Sequence, residues 1–142
     1  MMQRIFWRHA QAAWAANDLE RPLTEVGRLQ AQVAADWLKD QGIDFPLYTS
    51  EARRAQETGR YYAEPKQKQS GLNPDGNIAA VYTALAQIQD ETAVIVGHLP
   101  WLGKIVGEFL EKPSGYIEVN TAEIFWLEQK DGIWQLKEHF AG

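Results

Sequence analysis

The sequence predicts an α/β domain: a three-layer α/β/α sandwich with a mostly parallel central sheet and a C-terminal hairpin. Three observations carry that expectation. Two short, wholly apolar runs, Ile5-Phe6-Trp7 and Ala93-Val94-Ile95-Val96, have the composition of strands buried on both faces. Segments of helical periodicity separate the strand-like runs, and such alternation favours parallel strands joined by helical crossovers. The chain then closes with two β-rich runs around Gln129-Lys130-Asp131-Gly132, where Asp-Gly is a hairpin signal.

Taken in order, Met2 to Arg8 forms the first strand, and a polar, alanine-rich loop leads from it to Arg21-Pro22-Leu23. Thr24 is placed to N-cap a helix running to about Gln41, with Gly42 as its stop. Val26, Leu29, Val33 and Trp37 recur at helical spacing and are expected to face the core. Gly27 costs that helix ~1 kcal/mol relative to alanine, which implies close packing against a neighbour. Pro46 to Thr49 is a short strand, and Ser50 is expected to cap the helix after it. Lys66 to Gly71 reads as a weak third strand, and Ile78, Val81, Tyr82, Leu85 and Ile88 form one helical stripe. Ala93 to Val96, the strongest strand, ends at Gly97-His98, and Leu102, Ile105, Val106 and Phe109 mark the next helix. Ala122 to Leu127 and Ile133 to Lys137 supply the hairpin. No repeat, low-complexity stretch or linker divides the chain, so residues 1–142 read as a single domain.

Bulk properties narrow the function. A net charge of −5 disfavours nonspecific binding to nucleic acid or anionic membrane. No apolar run approaches the ~20 residues that cross a bilayer. Arginine interrupts the N-terminus too early for a signal-peptide apolar segment, so the expected location is cytoplasmic. With no cysteine, disulfides, thiolate chemistry and cysteine metal sites are excluded. The three histidines show no metal-ligand spacing, so neither a metal nor a cofactor is expected. His139 reads as a surface or satisfied core histidine.

Ligands of open α/β sheets sit beyond the carboxyl ends of the strands. Arg8 and His9 follow the first strand there, the Ser50 to Thr58 segment follows the second, and His98 follows the strongest. Phosphoryl transfer needs such a meeting: a nucleophile and positive groups around the equatorial oxygens.

These residues resemble the histidine phosphatase (phosphoglycerate mutase-like) superfamily. Arg8-His9-Ala10 is similar to its Arg-His-Gly signature, Ser50 to Thr58 to its Ser-Pro-x-x-Arg-Ala-x-x-Thr motif, and Val96-Gly97-His98-Leu99-Pro100 to its third motif. Arg21-Pro22-Leu23-Thr24, the short length and His-Leu-Pro resemble the SixA-type phosphohistidine phosphatase branch, and the likeness runs from Met2 to about Leu127. The resemblance implies that His9 forms a transient phosphohistidine, that Arg8, Arg54 and Arg21 hold phosphoryl oxygens, and that His98 adds a further hydrogen bond. Arg53 is the solvated neighbour of Arg54 in that register. Arg21 has a second reading, as a brace of the loop backbone. Trp101 reads as core rather than as a wall of the entrance.

The sequence departs from the pattern at Ala10, which replaces glycine, and at Glu51, which replaces proline. Many members also carry a glutamate after the third strand as proton donor. Here Leu72-Asn73-Pro74-Asp75-Gly76 offers only Asp75, a residue better suited to a helix start, and the SixA-type branch likewise lacks that acid. The implied activity is metal-independent hydrolysis of phosphohistidine on a protein partner, such as a phosphotransfer domain in a histidine-kinase relay. The rival readings are a phosphatase for small phosphate esters and a noncatalytic phosphate-recognition module.

Overall fold

The structure, a computed structural model, describes residues 1–142. Its elements run β1 (Gln3–Arg8), α1 (Glu25–Asp40), β2 (Leu47–Thr49), α2 (Arg53–Arg60), β3 (Gln67–Lys68), α3 (Ile78–Ala86), β4 (Thr92–Gly97), α4 (Trp101–Phe109), β5 (Ile124–Lys130) and β6 (Ile133–Phe140). The six strands form one sheet in the order β3-β2-β4-β1-β5-β6. β1 to β4 run parallel, while β5 pairs antiparallel with β1 and with β6.

The apolar runs are buried on both faces because successive side chains of a strand point to opposite layers. On one face Ile5, Trp7, Val94 and Val96 meet Ala31, Ala34, Ala35 and Leu38 of α1. On the other, Phe6, Ala93 and Ile95 meet Val81 of α3 and Leu102, Ile105 and Val106 of α4. Asp131 and Gly132 both take positive φ, at 52° and 77°, as a two-residue hairpin turn of the I′ kind requires.

The core face of α1 differs from the sequence expectation. Val26, Leu29 and Val33 are exposed at 55%, 65% and 49%, and Trp37 is half-buried. Gly27, Ala31, Ala34, Ala35 and Leu38 face inward instead. Helical spacing identifies a stripe, but two stripes coexist here, and the small residues allow the closer approach. A Cβ on Gly27 would lie 2.0 Å from the Gln11 carbonyl oxygen, so bulk on this face would push the helix off the β1–α1 loop. Thr24 caps α1 as expected, its hydroxyl accepting from the Gly27 N–H at 2.9 Å. Ser50 does not cap α2, whose N-cap is Ala52. Likewise Asn77, not Asp75, caps α3 by accepting from the Ala80 N–H. Within the α3 stripe Tyr82 is exposed, and buried Ile88 lies beyond the helix end.

Candidate active site

β1 and β4 are adjacent and in register, Arg8 opposite Gly97, so their carboxyl ends lie side by side. The His9 N–H donates to the Gly97 carbonyl at 3.1 Å and carries the ladder one residue past the strands. The His9 and His98 rings therefore meet, their centroids 5.0 Å apart. β2 pairs with the other edge of β4, which delivers Ser50 and Arg54 to the same end of the sheet.

His9 is nine-tenths buried, and its Nδ1 lies 2.7 Å from the Ala10 carbonyl oxygen. A carbonyl only accepts, so Nδ1 carries the proton and Nε2 keeps its lone pair. Burial pushes the His9 pKa down to about 4; the Ala10 bond opposes this, while the charges of Arg54, Arg8 and Arg21 reinforce it. The ring is therefore a neutral base near pH 7. Ala10 does not take a left-handed backbone, so the missing glycine carries no conformational penalty. Its N–H donates to Thr58 Oγ1 at 3.0 Å, and the Thr58 hydroxyl donates to the Arg54 carbonyl, which ties the His9 loop to α2.

His98 is buried, with Nε2 2.7 Å from Ser50 Oγ and Nδ1 without a partner. Burial first, then the charges of His9, Arg54, Arg8 and Arg21, push its pKa far below the ordinary histidine value. Arg8 spends Nη1 on the Val119 carbonyl at 2.8 Å, and its buried Nε has no partner. Arg54, only 4% exposed, donates from Nη1 to the Asp18 carbonyl at 2.8 Å and from Nη2 to Asp18 Oδ2 at 3.1 Å. Its buried Nε is again unpartnered. Each of the four side chains thus has at least one nitrogen tied down and at least one uncommitted: Nε2 of His9, Nδ1 of His98, Nε of Arg54, and Nε and Nη2 of Arg8.

The other expected residues fall outside that pattern. Arg53 is exposed and ion-paired with Glu57 on its own helix. Half-buried Arg21 donates from Nε to the Ala13 carbonyl at 2.8 Å and from Nη2 to the Ala12 carbonyl at 3.4 Å, with Nη1 3.4 Å from Asp18 Oδ1. It braces the β1–α1 loop, and its charge reaches both histidines. Asp75 is exposed in a turn, and Glu51 is bound reciprocally to the Asn73 side chain. His139, on β6, pairs with Glu123 at 2.5 Å beside the end of β1, where the Glu123 carbonyl accepts from the Arg8 N–H, but its ring is bonded to none of the clustered side chains. Trp101 is core: a Cβ on Gly97 would lie 2.1 Å from its ring, so glycine lets the indole close over the end of β4.

Sequence reasoning missed Asp18. It lies in the short 3-10 turn Asp18–Glu20, and its side chain bridges Arg54 and Arg21. Partial burial tends to raise its pKa, but hydrogen bonds and charge from Arg54 and Arg21 outweigh this and hold it below the ordinary carboxyl value. It is ionised near neutrality and is no proton donor. Its faint sequence signal is an acid three residues before Arg21 in an alanine-rich loop.

A histidine and arginine cluster at the carboxyl end of a parallel sheet is the arrangement of a phosphate-handling α/β protein. The chain belongs to the histidine phosphatase superfamily (branch 1), whose model matches residues 5–75. It is 29% identical to the phosphohistidine phosphatase SixA of Escherichia coli over 150 aligned positions, which cover 95% of this chain and 93% of that protein. Among solved structures, it is similar to the protein histidine phosphatase SixA complexed with tungstate, with a TM-score of 0.82 and 26% identity over 99% of this chain and 97% of the other. A phosphoserine phosphatase from Entamoeba histolytica shares the fold at a TM-score of 0.75 and 18% identity, covering 98% of this chain and 96% of its own.

Proposed function

We propose that this protein is a metal-independent phosphohistidine phosphatase that works through a phosphohistidine intermediate on His9. The observation that carries the reading is the set of uncommitted nitrogens: Nε2 of His9 as a lone pair, with Nε of Arg8, Nε of Arg54 and Nδ1 of His98 buried and unpartnered. In the reaction His9 Nε2 attacks phosphorus, forming an N–P bond as the bond to the leaving nitrogen breaks. The guanidinium groups, always charged, take up the charge of the phosphoryl oxygens where a metal would otherwise act. Water then attacks the phosphorus on His9, releasing orthophosphate and restoring the lone pair. Tungstate is a tetrahedral oxyanion like phosphate, and its presence in the SixA complex supports an oxyanion site here. Arg21 contributes charge from the loop rather than a committed contact.

The choice of leaving group follows from the carboxyl groups. The one carboxylate bonded to these side chains, Asp18, is held ionised by two arginines, and Asp75 is bonded to none of them. An alkoxide needs a proton delivered as it departs, and a positioned acid typically contributes ~10²–10⁴-fold. An imidazole is protonated on its second nitrogen while still attached to phosphorus, so it leaves neutral without an enzyme acid. A protein phosphohistidine partner, such as a phosphotransfer domain, belongs to this proposal and is supported by the likeness to the phosphohistidine phosphatase SixA; a cytoplasmic setting is proposed with it.

The test is kcat/KM for a phosphohistidine protein, a phosphoramidate, an aryl phosphate and an alkyl phosphate. The expected order falls steeply along that series, and Asp75→Asn leaves phosphohistidine turnover within about twofold. Efficient alkyl phosphate hydrolysis that collapses in Asp75→Asn would make Asp75 the acid and the protein a small-ester phosphatase. Tight phosphate binding with no turnover of any substrate would leave a recognition module.

A further inference from the structure

We infer that Ser50 is a positioning residue that fixes the tautomer of His98, so that His98 presents an Nδ1–H donor to the phosphoryl group. The inference rests on the phosphatase reading above but on a separate observation, the count of protons around the Ser50 hydroxyl.

Ser50 is fully buried, and its Oγ has two hydrogen-bond neighbours: the Ala52 backbone N–H at 3.1 Å and His98 Nε2 at 2.7 Å. The Ala52 N–H can only donate, so it occupies a lone pair of the oxygen. If Nε2 also donated, the hydroxyl proton would need a third acceptor, and no such acceptor is bonded to it. A buried hydroxyl proton left unpaired is costly. Sending the Ser50 proton to Nε2 leaves a single unpaired group, at Nδ1, whereas the opposite assignment leaves both the hydroxyl proton and the Nδ1 lone pair unpaired. The neutral His98 ring must then carry its own proton on Nδ1, the nitrogen that has no protein partner.

The consequence is chemical. An Nδ1–H attracts a phosphoryl oxygen, whereas an Nδ1 lone pair would repel it, although the ring would sit in the same place. Ser50 thus decides whether His98 helps or hinders, without touching substrate. The geometry also explains why this hydroxyl sits too deep to serve the helix that follows: Ala52 holds the N-cap position of α2, and the hydroxyl is oriented by the Ala52 N–H toward the ring.

Long-range proton–nitrogen NMR of protein labelled with ¹⁵N-histidine at neutral pH reads the tautomer directly. The wild-type His98 ring is expected as Nδ1–H. In Ser50→Ala the ring should gain Nε2–H character, and kcat/KM toward a phosphohistidine protein should fall about 10- to 100-fold, mostly in kcat. Ser50→Thr, which keeps the hydroxyl, should restore both the tautomer and the rate. An Nε2–H ring in the active wild-type protein overturns the inference whatever the variants do, as does a Ser50→Ala protein with wild-type tautomer and rate. An Nδ1–H ring in a protein that hydrolyses no phosphohistidine would instead overturn the function and leave the role of Ser50 standing.

Discussion

The carboxyl ends of β1 and β4 lie side by side, and each ends in a buried histidine, yet opposite kinds of partner hold the two rings. At the β1 end a backbone carbonyl faces Nδ1 of His9 and leaves a lone pair on Nε2. At the β4 end a hydroxyl faces Nε2 of His98, and Nδ1 is the nitrogen left over. A carbonyl accepts only, whereas the Ser50 hydroxyl, which accepts from a backbone N–H and is bonded to no other acceptor, donates to the ring. In the proposed mechanism one residue type therefore supplies a nucleophile at one strand end and a donor at the next. Placement by the sheet brings the rings together; the atom bonded behind each ring assigns its work.

That division predicts unequal losses. His9→Ala removes the bond-forming atom and should cost roughly 10⁴- to 10⁶-fold in kcat, whereas His98→Ala removes one donor and should cost about 10²–10³-fold. Rapid-quench trapping with labelled substrate separates the roles further. Acid-labile, base-stable label should appear on the wild type and on His98→Ala, and be absent from His9→Ala. Label that persists in His9→Ala would move the nucleophile elsewhere and end the comparison.

Beyond β2 the contrast is sharper because the two side chains are adjacent. Arg54 is buried with both Nη atoms on Asp18, while Arg53 lies in solvent against Glu57. Arg54→Ala should lower kcat/KM by about 10²–10³-fold, the usual scale for losing one transition-state donor. Arg53→Ala breaks only an exposed helix pair, worth ~0.3–0.5 kcal/mol, and should leave turnover within about twofold. Equal losses in two well-folded variants would place the pocket in the other helical register.

Much of this was legible in the sequence because strand ends are. Apolar runs locate β1 and β4, and the residues after them, His9 and His98, must lie at the sheet's carboxyl edge once the strands are parallel. The adjacent arginines could be told apart by register with Ala55 and Thr58. What escaped was whatever depends on hydrogen bonds between distant segments. Asp18 and Arg54 are 36 residues apart, and Ser50 and His98 are 48 apart. Neither partnership follows from periodicity or from a local cap, so Ser50 read as the start of a helix and Asp18 read as nothing. The inward face of α1 escaped for another reason. Hydrophobicity favoured Val26, Leu29 and Val33, but clearance decided the matter, since Gly27 lets the helix close on the Gln11 backbone and the alanines pack into the core with the sheet.

The smallest expected effect tests whether both rings are held neutral, as the comparison requires. Burial and arginine charge lower the His9 pKa to about 4 and push His98 lower still, against an ordinary value of about 6.5 in the unfolded chain. Below pH 6.5 the unfolded state therefore binds protons that the folded state refuses, so stability falls as pH drops from 6.5 toward 4 and is unaffected by these groups above that window. At pH 5 each histidine forfeits about 2 kcal/mol, or about 4 kcal/mol for the pair, relative to neutral pH. Urea unfolding at pH 7 and pH 5 measures the difference. In His9→Ala the acid loss should shrink to roughly half, because only His98 remains, and its pKa rises somewhat once the charge of a protonated neighbour can no longer oppose it. An acid loss of the same size in both proteins would mean that His9 titrates normally in the folded state. Its ring would then be partly protonated at pH 6, and the nucleophile would require a separate base to free its lone pair.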